Sequence, residues 1–118
     1  MTDFKKQLIS LLEREIPELA DKIQAGAVDA RTPAPFAAFS VPEERPIRTL
    51  HGIAGYRTVF EVAAYDSRFS GAERLKHRMI AALEGAEFDG KRSHFVSSAT
   101  EYYADYDLHG ATMTFRII

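Results

Sequence analysis

The residue types that most often carry catalysis are few in this chain and form no recognisable motif. Four histidines are present, His51, His77, His94 and His109, and no two of them have the three- or four-residue spacing of paired zinc ligands on a helix. Cysteine is absent, which removes thiolate nucleophiles, disulfides and cysteine metal ligands. We therefore expect no metal site and no cofactor, and we interpret the histidines as surface or edge residues.

Serine and glycine patterns do not indicate an enzyme either. The chain contains no GxSxG sequence of the kind that presents a nucleophilic serine, although a Ser-His-Asp arrangement assembled by folding stays open. The glycines at Gly52 and Gly55 have neither the neighbouring lysine nor the glycine density of a phosphate-binding loop. We interpret them as part of a turn and predict that the protein is not an enzyme.

A charged segment in the first half of the chain is the best candidate for a contact surface. It can be interpreted as a solvated loop, as a surface for a protein partner or as a surface for DNA. The net charge of −2 argues against DNA, so no nucleic-acid binding is expected. The candidate subunit-interface residues are Arg45, Arg48, His51, Arg57 and Glu61.

A second segment, residues 101–107, is both acidic and aromatic, with the sequence EYYADYD. Aromatic rings that stack on single-stranded nucleic acid usually have basic neighbours, whereas these are acidic. We interpret the tyrosines as packing residues of the core or of a strand edge, and a protein interface is the alternative.

Length and composition place these segments in one small domain, residues 1–118. Apolar residues make up 46% of the chain and charged residues 27%, which is ordinary for a globular protein. No apolar run approaches the roughly 20 residues of a membrane span, so no membrane contact is expected. The first residues lack the apolar centre of a signal peptide, which predicts assembly in the cytoplasm.

Two helices are predicted. Residues 3–16 have apolar positions at helical spacing, with Thr2 as a candidate N-cap and Pro17 as the break. The second helix begins with a capping box formed by Ser70 and Glu73, and it ends before Gly85. Its apolar stripe consists of Ala72, Leu75, Met79, Ala82 and Leu83.

Strands are predicted between and after the helices. Period-2 alternation marks residues 36–41 and 56–66, residues 91–103 are predicted to be a strand without a defined register, and residues 22–28 are left open. Near the end of the chain Met113, Phe115 and Ile117 alternate with polar residues, so we expect them on the core face of a strand. Residues 42–55 are predicted to be a long polar loop.

These elements follow the order α-β-β-β-α-β-β. The predicted fold class is α+β, with an antiparallel sheet of four to five strands and both helices packed on one face.

Several segments, taken in order, resemble the phage tail completion proteins, which are tail-terminator or head–tail joining subunits of tailed phages and prophages. The resembling segments are Leu11-Leu12, Thr32 to Phe36, Arg48 to Gly52, Tyr65 to Glu73, Ala81 to Leu83, His109-Gly110 and Phe115 to Ile117. They cover nearly the whole chain in the same order, and residues 91–103 match only in strand character.

The resemblance implies a structural protein of the virion tail, assembled in the bacterial host cytoplasm. Members of this family form rings, often hexameric, that cap the tail tube and meet the head connector. The implied partners are therefore further copies of this chain, the tail tube and the head connector. Two alternatives stay open, a small intracellular adaptor and a ligand-binding α+β domain.

Overall fold

The computed structural model describes residues 2–26, 28–29 and 31–117, together with all of their side chains except those of residues 2–3, 42–47 and 54–57. In chain order, the elements are α1 (Thr2–Glu15), β1 (Ile23–Ala25), β2 (Phe36–Thr49), β3 (Gly52–Asp66), α2 (Phe69–Leu83), β4 (Glu87–Phe88), β5 (Lys91–Tyr103) and β6 (Leu108–Ile117). Short 3-10 turns lie at Pro17–Leu19 and Ala104–Tyr106. Neither helix of the described chain has the length and apolar character needed to cross a membrane.

The strands form one sheet in the order β1-β2-β3-β6-β5-β4, so the prediction of four to five strands is corrected to six. The sheet is also not wholly antiparallel, because β1 pairs in parallel with β2 through residues 37–39. β1 and β4 have only three and two residues. A periodic pattern needs about four residues to be detectable, which is why residues 22–28 stayed undecided and β4 was missed.

Both helices pack on one face of this sheet, as predicted. The core contains Phe4 and Leu8 from α1, Leu75 and Met79 from α2, and alternate residues of the central strands, including Phe60, Val62, Met113, Phe115 and Ile117. The expected orientation of β6 is therefore confirmed. Burial of each such side chain contributes about 1.5–3 kcal/mol relative to exposure, so this face supplies most of the stability.

A smaller cluster lies on the opposite face of the sheet, formed by Phe36, Ala38, Ala63, Tyr65 and Leu108. The mixed apolar and polar outer side of the 56–66 strand predicted partial cover of this kind.

The C-terminal ends of both helices agree with the sequence, and the start of the second helix differs. α1 ends at Glu15 and Pro17 opens a 3-10 turn, while α2 ends before Gly85, which has a φ of +75°. The predicted capping box at Ser70 is wrong, because the N-cap is Arg68 and no side-chain cap is made there. Instead the carboxylate of Asp66 accepts the Arg68 backbone N–H at 3.1 Å. The predicted cap at Thr2 involves a side chain outside those described.

The largest correction concerns residues 42–55, which are not a loop. β2 continues to Thr49 and β3 begins at Gly52, so this stretch is a two-stranded antiparallel ribbon. Pairing of β3 with β6 begins only at Thr58, which pairs with Glu44 of β2, so residues 45–57 project beyond the sheet. We call them the hairpin arm. At about 3.3 Å per residue its strands reach roughly 20 Å, which fits the longest molecular extent of 52 Å.

Candidate functional site

The hairpin arm carries four of the five predicted interface residues. Arg45 is the register partner of Arg57, Arg48 is the partner of Ile53, and His51 lies in the turn. Glu61 lies at the base of the arm, half-buried, between Ser40 of β2 and Thr114 of β6. The side chains of Arg45 and Arg57 are not among those described, so their position is known from the ladder alone.

The tip of the arm is a tight turn that presents an apolar residue to solvent. The Thr49 hydroxyl accepts the His51 backbone N–H and donates to the Gly52 carbonyl, both at 3.2 Å. Gly52 has a φ of +109°, a conformation that favours glycine after such a turn. Leu50 is consequently 101% exposed and Ile53 is 51% exposed.

The distal part of the arm is strongly basic. From residue 45 to residue 57 the sequence contains three arginines and no acidic residue, while the two glutamates at 43 and 44 lie toward the base. The Arg48 side chain is exposed. The tip of the arm therefore has a solvent-exposed leucine, Leu50, close to positively charged residues.

A groove of about 260 Å³ lies at the other end of the sheet, between the start of α2 and the β5–β6 pair. We call it the aromatic groove, and its side chains include Phe69, Thr100, Tyr102 and His109. The His109 ring contacts both aromatic neighbours, with ring centroids 5.9 Å from Phe69 and 4.7 Å from Tyr102. The Tyr102 hydroxyl donates to Asp107 at 2.8 Å, a bond that raises the pKa of Tyr102.

The 101–107 segment thus contributes to both faces of this end of the sheet. On the face opposite α2, the half-buried Tyr103 lies near Tyr65, with ring centroids 6.1 Å apart. Burial and a hydrogen bond from the Tyr103 hydroxyl to Glu101 raise the pKa of Tyr103 to about 12. The packing role predicted for the tyrosines holds for Tyr103, whereas Tyr102 and Tyr106 are at least half exposed.

Strand β5 leaves part of a sheet edge open. β4 pairs with Lys91 and Arg92, the Ser93 backbone bonds to Gly85 and Ala86, and the Phe95 N–H donates to the Glu84 carboxylate. Among the described residues, no strand pairs with the outer edge of β5 from residue 96 to residue 103. Most β5 side chains are exposed on both faces, including Val96, which is 52% exposed. An unpaired edge of this kind offers backbone hydrogen-bonding groups to another chain.

The histidines form no catalytic or metal centre in the part of the chain that the structure describes. His77 lies 3.9 Å from Glu73, whose carboxylate also pairs with Lys76, and His94 lies 3.7 Å from Glu84. Within the described residues, no group of three or more histidines and carboxylates could hold a metal ion. That the protein is not an enzyme stays a prediction.

Sequence reasoning did not find the aromatic groove. The sequence predicts a turn at residues 104–107, which the structure confirms, and the resemblance implies a further turn at His109-Gly110, which is wrong because both residues lie within β6. Pairing of His109 with Tyr102 in the neighbouring strand then creates the groove floor. Prediction of the groove would have required the register of β5 against β6, and the sequence does not define that register.

Comparison with known proteins gives matches among solved structures and none among family models or curated proteins. Among solved structures, it is similar to a chain of the virion of a native gene transfer agent particle, with 14% sequence identity and a TM-score of 0.63. The superposition covers 93% of this chain and 92% of that one. At this identity the similarity establishes a shared fold across nearly the whole of both chains.

Proposed function

We propose that the protein is a structural subunit of a phage-like virion. The observation that carries this proposal is the fold shared with a gene transfer agent virion chain over 93% of the sequence. The ordered resemblance of the sequence segments to phage tail completion proteins supports the same class independently of the fold.

Within that class, we propose a tail terminator or head–tail joining role. The protein would form a ring of identical subunits at the end of the tail tube, and its partners would be the tube and the head connector. A ring needs two different, complementary surfaces on each subunit, because its contacts are heterologous. The hairpin arm at one end of the sheet and the open β5 edge with the aromatic groove provide two such surfaces.

The proposal is tested in the host that carries this gene. Deletion of the gene should leave filled heads without attached tails or tails of irregular length in electron micrographs. Mass spectrometry of purified wild-type particles should detect the chain, and labelled antibody should bind at the head–tail junction. Normal particles from the deletion strain would overturn the proposal.

A ligand-binding domain is the second candidate, and one cavity favours it. A space of about 470 Å³ is lined by Tyr65, Tyr103, Tyr106 and Arg31, and this volume lies within the usual range for small-molecule sites. A thermal-shift screen of small ligands tests it, because specific binding raises the melting temperature. A Tyr106→Ala variant, altered at an exposed position, is the control for binding at this cavity.

A further inference from the structure

We propose that the hairpin arm of one copy docks on the next copy, with Leu50 seated in the neighbour's aromatic groove. The inference rests on the proposed function, since it assigns the contact by which identical subunits would associate.

The apolar surfaces at the two ends match in size. Leu50 is fully exposed, and burial of a leucine side chain contributes about 1.5–3 kcal/mol. At about 260 Å³ the aromatic groove is smaller than the usual ~300–1,000 Å³ of small-molecule sites, which favours a single side chain as its occupant. Phe69 and Tyr102, exposed by 58% and 50%, flank it and would be covered by the same contact.

The charges of the two ends are complementary. The distal arm has three arginines without an acid, whereas residues 101–107 have three acids without a base. Arg48 is two residues from Leu50, and Asp107 bonds the hydroxyl of Tyr102, which lines the groove. Docking of Leu50 would therefore bring a basic strand against an acidic segment, which selects this partner and makes association sensitive to salt.

The two surfaces cannot meet within one chain. The β3–β6 ladder runs from Thr58–Ile117, at the base of the arm, to Asp66–His109, beside the groove. The ladder length of roughly 27 Å adds to the roughly 20 Å of the arm, so the tip is roughly 45 Å from its own groove. A repeated contact between opposite ends of successive copies is heterologous, the type of contact that a closed ring requires.

The absence of cysteine from the chain allows a direct cross-linking test. The double variant Leu50→Cys/Thr100→Cys should form disulfide-linked dimers and longer ladders under mild oxidation, as seen on non-reducing gels. The matched control is Leu50→Cys/Ala99→Cys, because Ala99 is also exposed but its side chain lies on the opposite sheet face. Equal ladders from both variants, or none from either at high micromolar concentration, would overturn the docking.

A second measurement does not depend on engineered thiols. Leu50→Asp should weaken self-association at least tenfold by analytical ultracentrifugation, whereas Leu50→Met should retain it. Undiminished association of Leu50→Asp would overturn the docking.

The docking proposal and the proposed virion role can be disproved independently of each other. If the chain is found in particles but these variants behave as wild type, the docking is wrong and the virion role stands. If the gene deletion leaves particles normal, the virion role is wrong whatever the cross-links show.

Discussion

Phe60 and Phe115 stack with nearly parallel rings between neighbouring strands, with ring centroids 5.3 Å apart and an interplanar angle of 13°. Both rings are completely buried, and they are register partners in the β3–β6 ladder. The pair lies at the centre of the core beneath both helices, which makes it the most sensitive place to test the fold.

Phe115→Asp should prevent folding, because it removes this stack and buries a carboxylate without a partner. Circular dichroism should show no cooperative unfolding transition. Phe115→Leu is the control and should remain folded with reduced stability. A stably folded Phe115→Asp protein would contradict the core placement of β6.

Gly110→Ala should destabilise the protein by about 1–3 kcal/mol through overpacking. A Cβ atom at this position would lie 2.9 Å from the Tyr65 ring and 3.1 Å from the Tyr103 ring, so both rings would have to move. Urea denaturation measures the loss. Thr112→Ala, two residues along the same strand, is the control and should cost less.

Asp66→Ala should destabilise the protein by about 1 kcal/mol, because the Asp66 carboxylate bonds the backbone at the start of α2. Ser70→Ala should change the free energy of unfolding by less than about 0.5 kcal/mol, since that exposed side chain makes no cap. Parallel denaturant titrations compare the two variants. A larger loss of stability for Ser70→Ala than for Asp66→Ala would instead support the capping box that the sequence predicted.

Arg48→Ala should leave the free energy of unfolding within about 0.5 kcal/mol of wild type, because the side chain is exposed on the arm. Self-association should weaken, and its dependence on salt should decrease. Sedimentation velocity at two ionic strengths measures both. Unchanged association and unchanged salt dependence would remove Arg48 from the interface.

Stability should fall as the pH rises from about 10 to 12. The pKa of Tyr103 is raised to about 12 in the folded chain, so the folded state disfavours ionisation that the unfolded state allows near pH 10. Tyr103→Phe should reduce this alkaline loss, whereas Tyr106→Phe should not. Denaturation at pH 8 and pH 11 tests the difference, and equal pH dependence in both variants would contradict it.

The sequence predicted those elements whose residues alternate against a core. The core faces of the strands containing Phe60 and Phe115 are predicted correctly, as is the apolar stripe of α2 except for the partly exposed Ala82, because one buried face imposes a period that the sequence displays. The hairpin arm has no core face, and residues 42–55 include two prolines and two glycines, so the sequence predicts a loop there. The arm is held as a ribbon by backbone hydrogen bonds between β2 and β3, and such bonds do not require particular residue types.

Only part of the candidate interface could be predicted from the sequence. Arg48 and His51 were chosen because they lie in a charged polar segment, and this choice did not require the two-stranded ribbon to be known. The aromatic groove unites Phe69, Tyr102 and His109 from three different elements. Their proximity depends on the β5–β6 register, and that register is a tertiary property.

The strand order β2-β3-β6-β5 also has a kinetic consequence. It consists of two hairpins, each able to close within microseconds from neighbouring segments, joined by one β3–β6 seam between segments far apart in the chain. The entropic cost of folding is concentrated at that seam, so it should limit the folding rate. Until it forms, both inner strands have open edges that can pair with other chains. A newly synthesised molecule is therefore most vulnerable to aggregation before β3 pairs with β6 and brings Phe60 into contact with Phe115.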